Sequence, residues 1–306
     1  MVRIETDNVV CSVSFGNPGW RDTVRHAGAE ARRLGATLHL VHVIAPTPWL
    51  MRRVMDEQAL QAHEADQRAH AQRLLEEAAG AVPDGVNRQV HAPVGKPSVA
   101  TLQVLESVNG GLLVIGCTRP NNARVVVGGV ADRLLRLSPV PVLIAGPTPP
   151  SKPSTVLVPT GLGPGGVAAI NVALDLVGND GVVKALHMVA LPGVMRAYSG
   201  DVLKLRASME ATARAELDQH LATTHAGPGT AALEGLLRTN LENVPADQTI
   251  IAEARAAQAD LICLALGGRG LAPGLLIGRV SQRLMRSLPC PLLALPDAWI
   301  EARRAS

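Results

Sequence analysis

The stretch Gly128-Gly-Val-Ala-Asp-Arg-Leu-Leu-Arg-Leu-Ser-Pro-Val-Pro-Val-Leu143 recurs 150 residues later as Gly278-Arg-Val-Ser-Gln-Arg-Leu-Met-Arg-Ser-Leu-Pro-Cys-Pro-Leu-Leu293, with eight of sixteen positions identical and no gap. Upstream, Thr37–Ala45 matches Val182–Ala190 at an offset of 145 residues. Similarity of this kind within one chain indicates a duplicated unit. We therefore predict two copies of one domain, residues 1–146 and 154–306, joined by a Pro-rich linker at 147–153.

Each copy alternates strand-like and helix-like patterns. In the first copy, strands are predicted at 8–14, 37–44, 87–91, 112–116 and 141–145, and helices at 20–34, 55–79, 97–108 and 129–137. In the second copy, strands are predicted at 154–160, 182–190, 230–237, 261–265 and 291–295, and helices at 165–177, 197–220, 246–258 and 279–288. This alternation is typical of parallel sheets covered by helices. We predict an α/β fold with two five-stranded parallel sheets, each with four helices.

The composition favours an ordinary globular protein. The 306 residues are 47% hydrophobic and 18% charged. The longest apolar runs, such as Leu112–Ile115 and Pro289–Leu295, are far below the roughly 18 residues that a membrane span needs. The first residues include Glu5 and Asp7, where a secretory signal would begin with basic residues. We expect a cytoplasmic protein without a membrane partner.

Several classes of function are not indicated. The net charge is only +3, and the chain has three Trp, one Tyr and one Phe, so we expect no nucleic-acid partner. The four cysteines are far apart and form no CxxC pair. His42 and His187 occupy corresponding positions of the two halves, which favours a shared role in the fold. No nucleophile elbow, HExxH helix or complete phosphate-binding loop is present. We predict no catalytic residues and no metal site, and leave a weak ATPase activity open.

The order of elements, the run Ala259-Asp-Leu-Ile262 that enters the fourth strand of the second copy, and the repeated closing phrase resemble the universal stress protein (UspA-like) family in its tandem two-domain form. The resemblance covers nearly the whole chain. It implies a doubly wound sheet in each half with strand order 3-2-1-4-5, and a ligand site beyond the carboxyl ends of strands 1 and 4, where the order reverses.

The resemblance also implies a particular ligand. Many members of the family bind ATP through a Gly-x2-Gly-x9-Gly-Ser/Thr loop after strand 4 and an Asp at the end of strand 1. Glycines in such a loop let backbone N–H groups approach phosphate oxygens, and the N-terminus of the following helix adds partial positive charge. An adenine nucleotide, specifically ATP with Mg²⁺, is therefore the expected ligand where the pattern is kept.

The first half departs from this pattern. Gly116 stands at the opening glycine, but Arg119 occupies the second glycine position. Gly128 and Gly129 stand for the Gly-Ser/Thr pair after a loop that is one residue short. Ser14 stands in place of the Asp at the end of strand 1.

The second half keeps more of the spacing. Ala265 replaces the opening glycine, whereas Gly268 and Gly278 keep nine residues between them. Arg279 replaces the Ser/Thr, and Gly161, beside Thr160, replaces the Asp. Losing a charged hydrogen-bond partner costs about 1.5–3 kcal/mol, although arginine can bind phosphate in a bidentate manner. The second half is therefore the stronger candidate for a nucleotide.

Two hypotheses for function remain. In the first, the chain is a cytosolic stress-response protein that acts by binding an adenine nucleotide or another small ligand. In the alternative, both sites have decayed and the chain is an interaction scaffold, whose apolar segments at 46–55 and 192–198, after strand 2 of each half, contact other proteins. The same segments could instead form a lip over each site. A homodimer is compatible with both hypotheses, and the sequence identifies no protein partner.

Overall fold

A computed structural model describes residues 3–117, 129–146, 152–190, 202–224, 231–240, 244–267, 279–285 and 287–305. The chain divides into two compact units, residues 4–151 and residues 152–306, which are called the first and the second domain below. Most of the predicted linker lies outside the described residues, so its bounds stay a prediction.

The first domain contains five strands and five helices within the described residues. In chain order these are β1 (Asn8–Ser12), α1 (Trp20–Leu34), β2 (Thr37–Val41), α2 (Trp49–Val54), α3 (Glu57–Gly80), β3 (Arg88–His91), α4 (Pro97–Ser107), β4 (Leu112–Ile115), α5 (Gly129–Leu137) and β5 (Val142–Ile144).

Local sequence explains where the helices begin and end. Helix α1 ends at Gly35, which adopts the left-handed conformation (φ 65°) that glycine tolerates without steric cost. Helix α3 begins after Asp56, whose side chain accepts a hydrogen bond from the Ala59 N–H (2.7 Å). The helix predicted at 55–79 therefore begins at Glu57, and the residues before the cap form the separate short helix α2.

The five strands of the first domain are parallel and lie in the order β3-β2-β1-β4-β5. The central pair is β1 and β4, in which Val10 is opposite Leu113 and Cys11 is opposite Val114. All four side chains are fully buried, as expected for a parallel sheet covered on both faces. The predicted fold class and strand order are confirmed.

The second domain repeats this arrangement. Its elements are β6 (Thr155–Thr160), α6 (Pro164–Val177), β7 (Val182–Ala190), α7 (Val202–Ala222), β8 (Ala232–Asn240), α8 (Ala246–Ala256), β9 (Leu261–Ala265), α9 (Arg279–Leu284), β10 (Leu292–Leu295) and α10 (Asp297–Ala305). The strands are again parallel, in the order β8-β7-β6-β9-β10. The strand order predicted for this half is confirmed.

Helix α10 departs from the prediction of four helices for this half. Its nine residues follow β10 after Pro296 alone. The helix is held by tertiary packing, since Trp299 and Ile300 are both buried, and no local repeat pattern marks it in the sequence. Across the described segments, none of the helices combines the length and the apolar character needed to cross a bilayer.

Candidate functional site

The carboxyl ends of β1 and β4 border a cavity of about 220 Å³ in the first domain. The strand order reverses between these two strands, which is where open parallel sheets bind ligands. The cavity is lined by Ser12, Ser14, Asn17, Trp20, Thr23, Ile115, Gly116, Gly129, Val130, Ala131 and Leu134. Ser14, Gly116 and Gly129, which the sequence predicts as site residues, are thus brought together.

Asn17 joins the two loops that border the cavity. Its Oδ1 accepts a hydrogen bond from the Gly19 N–H, and its Nδ2 donates one to the Cys117 carbonyl, both at 3.0 Å. The residue is only 6% exposed. The loop after β1 and the loop after β4 are therefore held together by one side chain.

Gly116 lies at the end of β4, close to Thr23 of α1. A Cβ at this position would lie 2.6 Å from Thr23 Oγ1 and 3.2 Å from Asn17 Nδ2. The first contact is shorter than real Cβ atoms show, so any larger residue displaces the Thr23 side chain. Glycine here thus lets two polar groups, the Thr23 hydroxyl and the Asn17 amide, lie beside the cavity.

Trp20 forms an apolar wall of the cavity at the start of α1. Its ring meets Phe15 edge to face at 5.2 Å between centroids, and the Arg21 guanidinium lies 4.3 Å from its centroid. Phe15 in turn meets His42 at 4.8 Å. These contacts fix the orientation of the indole, which faces the aliphatic side chains of the lining.

Helix α5 contributes its first turn, Gly129, Val130 and Ala131, to the cavity lining. The first N–H groups of a helix have no partner within the helix and carry partial positive charge. Together with the Ser12, Ser14 and Thr23 hydroxyls, this turn suits a polar or singly charged group. None of the described lining residues has a charged side chain, and the predicted site residue Gly128, like Arg119, falls outside the described residues.

In the second domain, the Thr160 hydroxyl has hydrogen-bond partners within the domain. Its Oγ1 accepts a hydrogen bond from the Leu162 N–H and lies 3.1 Å from His220 Nε2. Burial, and then the nearby His187, lower the pKa of His220, which favours a neutral ring that accepts the Thr160 hydroxyl proton. Both side chains are buried, so the Thr160 hydroxyl has a structural role in the domain interior.

In the second domain, α10 lies beside the position that corresponds to the cavity. A Cβ at Gly165 of α6 would lie 3.0 Å from Ala265 Cβ and 3.9 Å from Ile300 Cδ1. Beyond β9, the Asp297 carboxylate lies against Gly267. Ala265, which the sequence predicts as a site residue, therefore faces α6 and lies close to α10.

The remaining predicted site residues of the second half are Gly161, Gly268, Gly278 and Arg279. Gly161 follows β6, and a Cβ there would meet open space. Arg279 begins α9, while Gly268 and Gly278 lie outside the described residues. Sequence reasoning missed Asn17, Trp20 and Thr23, although the turn signal Asn17-Pro-Gly marks the first of them.

His42 and His187 have the same role in the two domains, as their corresponding positions predict. His42 Nδ1 lies 3.0 Å from the Val13 carbonyl oxygen, and His187 Nδ1 lies 3.0 Å from that of Thr160. Each imidazole thus ties the end of the second strand to the end of the first.

Comparison with known proteins gives a consistent result. The family model described as "Universal stress protein family" matches residues 6–146 and 153–296. No curated protein gives a significant match. The family model thus matches both halves of the chain.

Solved structures that resemble the chain include two that cover nearly its full length. A universal stress protein from Archaeoglobus fulgidus is 16% identical with a TM-score of 0.62, covering 95% of this chain and 98% of that chain. A protein of unknown function from Pseudomonas aeruginosa is 17% identical with a TM-score of 0.64, covering 97% and 95%. A universal stress protein from A. fulgidus in complex with dAMP is 21% identical with a TM-score of 0.32, covering 48% of this chain and 100% of that chain. With both halves matched by the family model, the chain belongs to the universal stress protein family.

Proposed function

We propose that this chain is a cytosolic stress-response protein that acts by binding an adenine nucleotide in the first domain, without turning it over. The observation that supports this proposal is the cavity of about 220 Å³ at the carboxyl ends of β1 and β4. Its position agrees with the rule for ligand sites in open parallel sheets.

The lining of the cavity suits the parts of a nucleotide. Trp20, Ile115 and Leu134 offer apolar surface for a planar base, and the serine and threonine hydroxyls offer hydrogen bonds for its polar edges or the ribose. The first turn of α5 offers N–H groups for a phosphate. The volume of about 220 Å³ is below the roughly 300–1,000 Å³ of common ligand pockets, so the cavity suits the nucleoside part while the remaining phosphates extend outward.

The described lining suits a metal ion less well. It contains no carboxylate, and oxygen ligands of this kind are what Mg²⁺ prefers in proteins. Any Mg²⁺ would therefore enter as the counter-ion of the nucleotide. The choice of the first domain differs from the sequence-based expectation, which favoured the second because of its loop spacing.

A titration of the nucleotide-stripped protein with ATP and Mg²⁺ tests the proposal. We expect micromolar binding to the wild-type chain and a loss of at least about tenfold, or 1.4 kcal/mol, in Gly116→Val, because the new side chain enters the lining. Gly16→Ala is the matched control, since a Cβ there meets nothing within 4 Å. No heat up to millimolar ATP, or ATP hydrolysis clearly above background, would contradict the proposal.

A second candidate function is an interaction scaffold. The observation that favours it is α2, in which Trp49 is 72% exposed and Val54 is 76% exposed. None of the α2 residues lines the cavity, so this part of the predicted segment 46–55 is an exposed surface and forms no lip. The corresponding segment 192–198 lies outside the described residues. Capture of partners that persists at saturating ATP but is lost in Trp49→Ala would favour the scaffold.

A further inference from the structure

Helix α10 is firmly anchored in the second domain. It packs against α6, and Trp299 and Ile300 on its first two turns are each only 3% exposed. The Arg303 guanidinium lies 4.2 Å from the centroid of the Trp299 ring, which covers the outer side of the indole. The helix is therefore a packed element and not a loose extension of β10.

Its first turn contacts the elements that would bind a ligand. We call the gap bounded by the first turn of α6 and by Gly267, at the carboxyl ends of β6 and β9, the second crevice. The Asp297 carboxylate lies against Gly267, and Ile300 Cδ1 would lie 3.9 Å from a Cβ at Gly165. In the first domain, the matching ends of β1 and β4 border the open cavity.

Gly267 allows α10 to come this close, and Gly165 allows α6 to come close to β9. A Cβ at Gly267 would lie within 2.1 Å of three Asp297 carboxylate atoms, so no other residue fits there while Asp297 is in place. A Cβ at Gly165 would press on Ala265 at 3.0 Å. The second crevice thus accommodates the first turn of α10 at Gly267, which lacks a side chain.

The chemistry of the contact resembles ligand binding. A backbone N–H beyond the carboxyl end of a parallel strand is a natural donor for an anionic group. In the second domain the Asp297 carboxylate of the same chain already lies against this part of the backbone, at Gly267. A tethered group competes at a high effective concentration, commonly millimolar, so a free anion must displace it.

We propose that α10 is a built-in occupant of the second crevice, with the Asp297 carboxylate in the place of an anionic ligand, and that the second domain binds ligand only when α10 is released. The ligand class rests on the function proposed for the first domain. In the first domain, only residues 145–151 separate β5 from the second domain, too few for a helix as long as α10. The two halves then differ in function, the first being open and the second latent.

The test releases α10 by the double substitution Trp299→Ala and Ile300→Ala in the full chain. Arg304→Ala is the matched control, because this side chain lies on the same helix and is exposed. Hydrogen exchange at the Gly267 amide reports release directly, without any ligand. Titration with ATP and Mg²⁺ then counts sites per chain, with and without Gly116→Val to remove the first site.

We expect fast exchange at Gly267 and one additional ATP site in the double variant, whether or not Gly116→Val is present, and no change in Arg304→Ala. Release without an additional site would overturn the inference, as would wild-type exchange at Gly267 as fast as in the variant. If the wild-type chain binds no ATP, the function proposed for the first domain fails. The inference about α10 is then still decided by whether the double variant gains an ATP site.

Asp297→Ala provides a second route in case the double variant does not fold. It removes the carboxylate and leaves Trp299 and Ile300 in place. We expect faster exchange at Gly267 and an ATP site that appears at higher concentration than in the double variant. Unchanged exchange together with no additional site would contradict the assigned role of Asp297.

Discussion

Asn17 Nδ2 donates a hydrogen bond of 3.0 Å to the carbonyl oxygen of Cys117, one hundred positions further along the chain. The bond connects the loop after β1 to the loop after β4, and Asn17 Oδ1 at the same time accepts the Gly19 N–H. The shape of the first-domain cavity therefore depends on a single amide side chain that uses both its donor and its acceptor.

We expect Asn17→Ala to destabilise the chain by about 1–2 kcal/mol, because the partly buried Cys117 carbonyl and the Gly19 N–H lose the hydrogen bonds that Asn17 makes. Binding of ATP should weaken as well, since the two loops are no longer held together. Urea denaturation measures the first effect, and Asn87→Ala, at an exposed asparagine before β3, is the control. Equal stability of the two variants would show that this bridge is dispensable.

The first domain contains a histidine network that predicts a pH dependence. Asn8 Oδ1 lies 2.9 Å from His39 Nε2, and His39 Nδ1 lies 3.0 Å from His91 Nε2. Burial lowers the pKa of both histidines, and for His39 the nearby His91 lowers the pKa further. The network is satisfied when both rings are neutral, with each ring donating one proton.

Because the folded state disfavours the charged rings, stability is complete above the unfolded pKa of about 6.5 and falls as the pH drops below it. We expect a lower urea midpoint at about pH 5.5 than at about pH 7.5. His91→Gln, which keeps a donor, should reduce this difference, whereas His70→Gln, at an exposed position of α3, should leave it. A midpoint that rises on acidification would contradict the assignment.

Asp260 fixes the start of β6 beside β9. Its Oδ2 accepts hydrogen bonds from the Ser154 N–H (2.8 Å), the Ser154 hydroxyl (2.7 Å) and the Thr155 N–H (3.0 Å). Burial alone would raise the pKa of Asp260, but these bonds outweigh it and hold the pKa below its usual value. The carboxylate therefore stabilises the fold at pH values above the unfolded pKa of about 3.9, and this stabilisation is lost as the pH falls.

We expect Asp260→Asn to lower the free energy of unfolding at neutral pH by about 1–2 kcal/mol, since the group is partly exposed and a neutral acceptor remains. Asp84→Asn, in the exposed turn before β3, serves as the control. The difference between wild type and Asp260→Asn should shrink under acidic conditions. A difference that is independent of pH would argue against a role for the charge.

The cysteines should differ in reactivity. Burial raises the pKa of Cys11 to about 12 and that of Cys263 further, and burial with the nearby Asp260 raises the pKa of Cys290 to about 12. Since the thiolate is the reactive form, we expect Cys117, which is partly exposed, to react first with a disulfide reagent. Cys11 and Cys263 should react only on unfolding. Fast reaction of all four thiols in the native protein would contradict their burial.

Much of the fold was predictable because it is encoded locally. The bounds of α1, α5, β7 and β9 agree with the predicted ones, since apolar periodicity and glycine or proline at the ends are properties of short windows. Helix α10 was missed because its burial depends on α6 and the end of β9, which are remote in sequence. Helix α3 begins at Glu57 and not at residue 55 as predicted, because Asp56 caps it. The surrounding residues are also polar, so the sequence pattern does not distinguish this capping residue.

The sequence predicted where the candidate site lies, but not which residues pack beside it in each domain. Ser14, Gly116 and Gly129 lie together at the cavity, as the order of strands requires. The loop spacing favoured the second half, yet spacing along the chain says nothing about Ile300 and Asp297, which approach Gly165 and Gly267 from a later helix.

By itself, the sequence determined that one domain occurs twice, that each copy is a parallel α/β sheet, and where along the chain its site residues fall, because these depend on repetition and local periodicity. Only the tertiary structure decided which residues border each crevice. That outcome depends on side chains far apart in sequence, Asn17 with Cys117 in one half and Asp297 with Gly267 in the other. Their distances are set by packing of the whole domain, which no local pattern records.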